Sequence, residues 1–175
     1  MTVTARRVGG APVILRPLRG RDRREWEDLR AENADWLRPL EASRSNNGRL
    51  QPFVIETAGR LVGQMHLFGI AWGSFRSASA GYWVAKSVAG RGIMPLALAA
   101  ACDHAFIALR LHRIEVNIRP ENAASLRVVE KLGFRDEGLR PRYLHIAGEW
   151  RDHRSFALTS EDLGSSSLVE RWNHS

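Results

Sequence analysis

At 175 residues, 44% hydrophobic and 26% charged, the chain is sized for one globular domain that buries an ordinary core without disulfides or a structural metal. Its single cysteine, Cys102, excludes an internal disulfide, and no segment is apolar over the length of a membrane span, so a cytoplasmic protein without membrane partners is expected. The formal net charge of +7 suits a protein that meets polyanions; yet only Lys86 and Lys131 are lysines, so 24 of the 26 basic residues are arginine, a bias that codon usage produces as readily as a binding surface, and no dedicated nucleic-acid site is expected.

Met1 to Pro12 holds two arginines and no apolar run of signal-peptide length. Val13 to Leu18 reads as a strand, and Arg21 to Trp36 as an amphipathic helix with Trp26, Leu29 and Asn33 at helical spacing, ended by Pro39. Pro52 to Glu56 and Arg60 to Phe68 form a hairpin around Ala58-Gly59. Ser79 to Ala85 continues the sheet, and Met94 to Leu109 is a long apolar helix that takes Cys102 into the core. Arg113 to Ile118 is the next strand; a strand-helix-strand crossover of this kind makes it parallel to Ser79–Ala85. Asn122 to Leu132 is a second core helix, and Glu137 to Ile146 with Arg151 to Leu158 make a last hairpin around Ala147-Gly148. Residues 1–175 read as a single domain with a core over 13–163; the tail, 164–175, offers a short helix from Leu168 to Trp172 to pack on the body.

The chemistry concentrates where the strand Gly81-Tyr82-Trp83-Val84-Ala85 enters Ala89-Gly90-Arg91-Gly92-Ile93-Met94, which opens into the apolar helix. Backbone N–H groups at a helix start have no partner of their own and the helix dipole adds positive charge, so a pyrophosphate can be held there with little side-chain help. Glycines allow the close approach this needs. Taken alone, a Gly-Arg-Gly turn is as readily an ordinary strand-to-helix connection.

Further on come Arg119-Pro120-Glu121-Asn122-Ala123-Ala124-Ser125 and Val128-Val129-Glu130-Lys131-Leu132-Gly133-Phe134, a capped helix ending in Gly-Phe. With the glycine loop, these motifs resemble the acetyl-CoA-binding core of the GNAT N-acetyltransferases. Glu137-Gly138-Leu139-Arg140 and Tyr143-Leu144-His145-Ile146-Ala147-Gly148-Glu149-Trp150-Arg151-Asp152-His153 narrow the likeness to the RimJ-like, ribosomal-protein-alanine acetyltransferase branch. The likeness covers residues 13 to 163 and is densest over 80 to 159. It implies an α/β (α+β) fold: a mixed, mostly antiparallel sheet flanked by helices, with one parallel strand pair splayed apart.

The resemblance also implies roles. Ala89, Gly90, Arg91, Gly92, Ile93, Met94 and Pro95 hold the coenzyme A pyrophosphate, chiefly through backbone amides, with Arg91 adding a charged contact. Ala89 and Met94 depart from the family pattern, which matters little if backbone makes the contacts. Trp83, Val84 and Ala85 offer backbone to the pantetheine arm, and an N–H of Val84 or Ala85 is the candidate oxyanion donor. Asn122 lies against the pantetheine and Ser125 near the thioester sulfur; by local chemistry alone the two are an N-cap and its N3 residue. Ser125 or Tyr143 is the acid for the departing thiolate. Glu115 is the candidate base, with a water relay as the alternative, since a peptide α-amine titrates near 7.7–8.0 and is partly neutral without help. Asp152 and His153 read as a structural hydrogen bond or a dyad. No His/Cys cluster has metal-ligand spacing, and no metal is expected.

One departure concerns the acceptor groove: the family places a second helix before the Pro-Phe-Val strand, whereas here only a short polar run separates Leu40 from Pro52. The expected activity is direct transfer, in a ternary complex, from acetyl-CoA to the N-terminal α-amine of a protein, with a ribosomal protein as suspected partner and ribosome association following from it. Two other readings stay open. One is a small-amine acetyltransferase for polyamines, aminoglycosides or amino acids, with Glu121, Glu137, Glu149 and Asp152 supplying an acidic groove. The other is a non-catalytic CoA-binding or RNA-associated module.

Overall fold

The computed structural model describes residues 2–6, 9–38 and 51–174, the side chains of 51 and 52 excepted. The connection between Leu40 and the strand at Pro52, where the sequence departs from the family, lies outside the described residues. Strands β1 (Val3–Ala5), β2 (Val13–Arg16), β3 (Gln51–Thr57), β4 (Arg60–Ala71), β5 (Ser77–Val84), β6 (Arg113–Ile118), β7 (Arg135–Ile146) and β8 (Glu149–Thr159) form one sheet in the order β1-β2-β3-β4-β5-β6-β8-β7. All neighbours are antiparallel except β5 and β6. The helices are α1 (Arg23–Glu32), α2 (Ala34–Leu37), α3 (Ile93–Asp103), α4 (Ala123–Lys131) and α5 (Leu168–His174). The mixed, mostly antiparallel sheet with a single parallel pair is the fold class read from the sequence.

Two faces follow from strand alternation. Met65, Leu67, Ala78, Ala80, Ile114, Val116, Phe156 and Leu158 are buried on the face that packs under α3. Gln64, His66, Ser79, Gly81, Trp83, Glu115, Asn117 and Ser155, their intervening neighbours, occupy the other face. There α1 lies over the sheet, with the Arg30 guanidinium stacked on the rings of Trp26 and Trp83 at 5.1 and 5.8 Å.

Helix α3 buries every residue from Met94 to Cys102, and a helix apolar all round must be covered on all sides. The sheet covers one side, and α5 takes part of the other, which gives the tail its place. Asp103 at the end of α3 accepts the N–H groups of Leu168 (2.7 Å) and Val169 (3.1 Å), capping α5 from outside, and Leu168 is buried. Among the described residues, no helix is long and apolar enough to cross a membrane.

The structure alters three details of the sequence reading. First, the expected helix over Arg21–Trp36 is interrupted at Asn33, whose side chain donates to Leu29 O (2.8 Å) and accepts from Lys86 N (2.9 Å). Such backbone bonds compete with the helical ladder, and here they tie the bend to the start of the glycine loop. Second, the helix after that loop ends as an α-helix at Asp103 and continues through a π turn, His104–Ala108. Third, the N-terminal stretch supplies an edge strand, β1, that the sequence reading left unassigned. Between β2 and α1 sits a buried ion group: Arg16 reaches Asp22 and Glu56, each at 2.6 Å.

Candidate active site

The parallel pairing of β5 with β6 covers only Ser77↔Arg113, Ala78↔Ile114 and Ser79↔Glu115. Beyond Ser79 and Glu115 the two strands continue to Val84 and Ile118 without pairing, so a slit opens between them with its vertex at that last pair. Which backbone groups face the slit follows from the ladder on the other side. Ala85 N donates to Val62 O (2.8 Å), and residues of an antiparallel ladder alternate between bonded and non-bonded pairs. Trp83 therefore bonds toward β4, while Tyr82 and Val84 turn their N–H and C=O groups into the slit. Ala85 N–H is committed to Val62, which leaves Val84 N–H as the candidate oxyanion donor. The Val84 carbonyl accepts from the Trp36 indole on α2 (3.2 Å).

Past β5 the chain turns through Gly90 (φ 77°) and Gly92 (φ 78°), both left-handed and poorly tolerated by other residues. Gly92 is the N-cap of α3; it has no side-chain cap bond, and the first turn of α3 contains no acidic residue. The first helical bond runs from Leu96 N to Gly92 O, and Pro95 has no N–H, so the amides of Ile93 and Met94 point forward unspent. With exposed Arg91 and Lys86 beside it, this helix start matches a polyphosphate by geometry and by sign. The slit and loop together fit a long ligand with an anionic end and an amide-bearing arm.

Asn122 caps α4, accepting from Ser125 N at 3.1 Å, as the local reading required. Ser125 stands beside the Tyr82 hydroxyl on the α3 side of the slit. That hydroxyl is buried with Ser125 as its hydrogen-bonding neighbour, and burial, outweighing that neighbour, pushes its acidity well below that of an ordinary phenol. Cys102, on α3, is fully buried and its thiol is likewise raised by burial, in keeping with its core placement.

Glu115 and Tyr143 lie across the sheet from Ser125, linked by a residue that the sequence reading left within its motif, Arg140. Arg140 donates to the Tyr143 hydroxyl (3.1 Å) and approaches Glu115 (3.5 Å), whose other oxygen takes Arg113 Nε at 2.9 Å. Tyr143 also stacks edge-on against His153, with ring centroids 5.9 Å apart. The three catalytic candidates thus fall into two sets, Ser125 on one face and Glu115 with Tyr143 on the other, with the slit as the passage between them.

The acidic groove raised for a small polycation is occupied by arginine. Glu137 binds Arg113 and Arg135, and the Arg113 bond above all holds its carboxyl down at about 2. Glu121 pairs with Arg119 and Glu149 with Arg151, while Asp152 accepts the Arg142 N–H at 2.7 Å. The Asp152–His153 dyad is not formed: on adjacent strand positions the two point to opposite faces, and His153 Nδ1 meets Arg151 O at 3.0 Å.

Sequence reasoning missed His66, the one titratable residue in an otherwise apolar alternation from Leu61 to Leu67. It pairs with Gly81, and a Cβ on Gly81 would stand 2.6 Å from His66 Nε2, so the imidazole lies directly over β5. Burial lowers its pKa.

Comparison with known proteins agrees with this geometry. A family model, the acetyltransferase (GNAT) domain, matches residues 13–135. The chain therefore belongs to the GNAT acetyltransferase family and is an acyltransferase of the N-acetyltransferase type. It is 34% identical to the probable N-acetyltransferase YjcK of Bacillus subtilis, over 87% of this chain and 97% of the relative. It is 29% identical to the ribosomal protein uS5-alanine N-acetyltransferase of Escherichia coli, over 86% and 89%. Among solved structures, Mycobacterium smegmatis RimJ in complex with CoA-disulfide has a TM-score of 0.90 at 40% identity, covering 98% of this chain and 92% of that one. The alignment to YjcK runs over 175 residues yet uses 87% of this chain, so part of the relative has no counterpart here.

Proposed function

We propose that the protein transfers an acetyl group from acetyl-CoA to the N-terminal α-amine of a protein, a ribosomal protein in particular. The observation that carries the reading is the slit: two parallel strands that stop pairing at Ser79 and Glu115, with free backbone on one edge and an anion-receptive helix start at its mouth. Bound acetyl-CoA supplies an activated acyl carbon and a thiolate leaving group. The pyrophosphate is held by the amides from Ala89 to Met94 with Arg91, the pantetheine by Asn122 and by the slit edge leading to Val84. Trp83 and Ala85 keep that edge straight through their bonds to β4.

Val84 N–H points to where the carbonyl oxygen gathers charge. Ser125 or Tyr143 provides the proton that the thiolate needs. Arg140 already occupies the Tyr143 oxygen, which leaves the phenol's own hydrogen for donation. Glu115 acts as base only if an arginine contact opens or a water intervenes. Among the described residues no activated nucleophile lies at the slit to carry the acyl group, so the amine attacks directly, in a ternary complex.

The protein acceptor is supported by the name of the E. coli relative and by the arginine-paired acids, which leave little to attract a polyamine. Thiol release from acetyl-CoA with mass spectrometry of the acceptor tests it, across peptides with free or blocked N-termini, lysine peptides and polyamines. Acetylation confined to free α-amines is expected; transfer only to polyamines overturns the acceptor, and CoA binding without any transfer overturns the reaction.

A further inference from the structure

We propose that His66 is the general base that takes the proton of the attacking amine, directly or through one water. The inference rests on the transfer reaction above but not on the identity of the amine.

Four observations place it. His66 is on the face that carries Glu115, Asn117 and Ser155, opposite the face of Ser125, so an acid and a base stand on the two sides of the slit. Its ring lies across β5 at Gly81, where any Cβ would collide with it, and Gly81 is the second residue past the last parallel pair, Ser79↔Glu115. The imidazole therefore projects over the strand at the vertex of the slit rather than away from it. Among the described residues no hydrogen bond engages either ring nitrogen, and the ring is fixed by tilted contact with Phe68 at 5.3 Å. A neutral imidazole with an unspent nitrogen is the form that accepts a proton.

The neighbouring charges do not compete for it. Burial alone lowers the His66 pKa, with no contribution from Glu115 on β6 or from Arg30, which is stacked on Trp83. The carboxylate candidate for the base, Glu115, has both oxygens turned to Arg113 and Arg140. The proton balance is simple. The amine nitrogen bonds to the acyl carbon, the C–S pair leaves with sulfur, a hydroxyl of Ser125 or Tyr143 protonates the thiolate, and His66 takes one proton from nitrogen, returning it through solvent to the depleted hydroxyl. Starting from a neutral amine, no proton is gained or lost overall.

The test uses the whole protein with whichever amine the acceptor panel identifies. His66→Gln is expected to lower kcat by roughly 10- to 100-fold, at or below the bottom of the range for general base catalysis because an α-amine is partly neutral unaided. CoA affinity, read by calorimetry, is expected to stay within about twofold, since the ring lies on the face away from Ser125 and Asn122. His66→Ala is expected to recover activity with added imidazole, in proportion to the neutral imidazole present. Wild-type kcat in His66→Gln overturns the proposal, and so does a loss in His66→Ala that imidazole fails to restore while CoA binding and thermal unfolding are unchanged. If the acceptor proves to be a polyamine, the acceptor reading fails while the His66 prediction stands and is read on that amine, whose higher pKa makes a base matter more.

Discussion

The two faces of the slit are built on different principles. On the α3 side, the groups available to a ligand are backbone: amides of a helix start, two left-handed glycines, a strand edge that stops pairing with β6, and an N-cap. On the α1 side they are side chains: the Trp26–Arg30–Trp83 stack, the Glu115–Arg113–Arg140 group, His66 over Gly81, and Tyr143 against His153. A site offered by backbone tolerates changes of side chain, so Ala89 and Met94 can differ from the family pattern without altering the proposed phosphate cradle. Side-chain recognition depends on each residue, and it is there that this protein's own choices appear.

The largest expected effect comes from the anchor of the α1 side. Asp22 leads into α1, and with Arg16 and Glu56 it forms a buried ion group in which Arg16 and Asp22 are 7% and 5% exposed. Asp22→Ala leaves Arg16 with one fewer partner and is expected to cost about 3 kcal/mol in chemical denaturation. Acid acts on the same group. The Arg16 bond, outweighing the burial that opposes it, lowers the Asp22 pKa to about 2. A depressed carboxyl contributes stability that is present above its unfolded value near 3.9 and is lost as pH falls through 2. Acid unfolding between those values should be steeper in wild type than in Asp22→Asn. Equal slopes would remove the ion group as the anchor.

The complementary change strikes the backbone side. Gly92→Val forces a branched side chain into φ 78° at the N-cap of α3, an arrangement with a strain of about 1–3 kcal/mol. CoA affinity is expected to fall about 100-fold, or about 2.7 kcal/mol, whereas Arg91→Ala should cost about tenfold or less because it removes one exposed contact. If Arg91→Ala proves the more damaging, the loop recognises its ligand through side chains and the contrast between the faces collapses. Tyr82→Phe is a smaller probe of the same side. It deletes one buried hydroxyl beside Ser125, and kcat should fall about 3- to 10-fold, but no further in a Ser125→Ala background, if Tyr82 works through Ser125.

How much the sequence disclosed divides along the same line. The glycine loop, the strand before it, the parallel crossover and the Asn122 cap are local patterns in which residue type dictates geometry, and each was legible. The splay itself was expected only through family resemblance, because nothing local says that β5 and β6 stop pairing after Ser79 and Glu115. What stayed hidden depended on distant neighbours. Asn33 looked like a helical residue until its amide was found to bond Lys86 across the fold, Arg140 acquired its place only by meeting Glu115 from another strand, and His66 mattered only because Gly81 lies under it. Asp152 and His153 erred the other way: adjacent in sequence, they suggested a pair that strand alternation separates.

Trp36 tests whether the two sides are separable at all, since it rises from the α1 side and donates to Val84 O on the cofactor edge. A hydrogen bond of this kind is worth about 0.5–1.5 kcal/mol net, and the Trp36 side is not fully shielded from water, so the low end applies. Trp36→Phe keeps the ring and removes only the donor. The slit edge should then loosen slightly, changing acetyl-CoA affinity by about two- to threefold, with a similar change in the KM of the amine acceptor where the amine approaches from the α1 side, as the His66 proposal requires. A tenfold or larger change in CoA affinity would mean that the Val84 carbonyl is positioned by α2 rather than by its own strand. The cofactor edge would then be shaped from the acceptor side, and acceptor binding at α2 would alter CoA affinity by the same factor that CoA alters acceptor affinity.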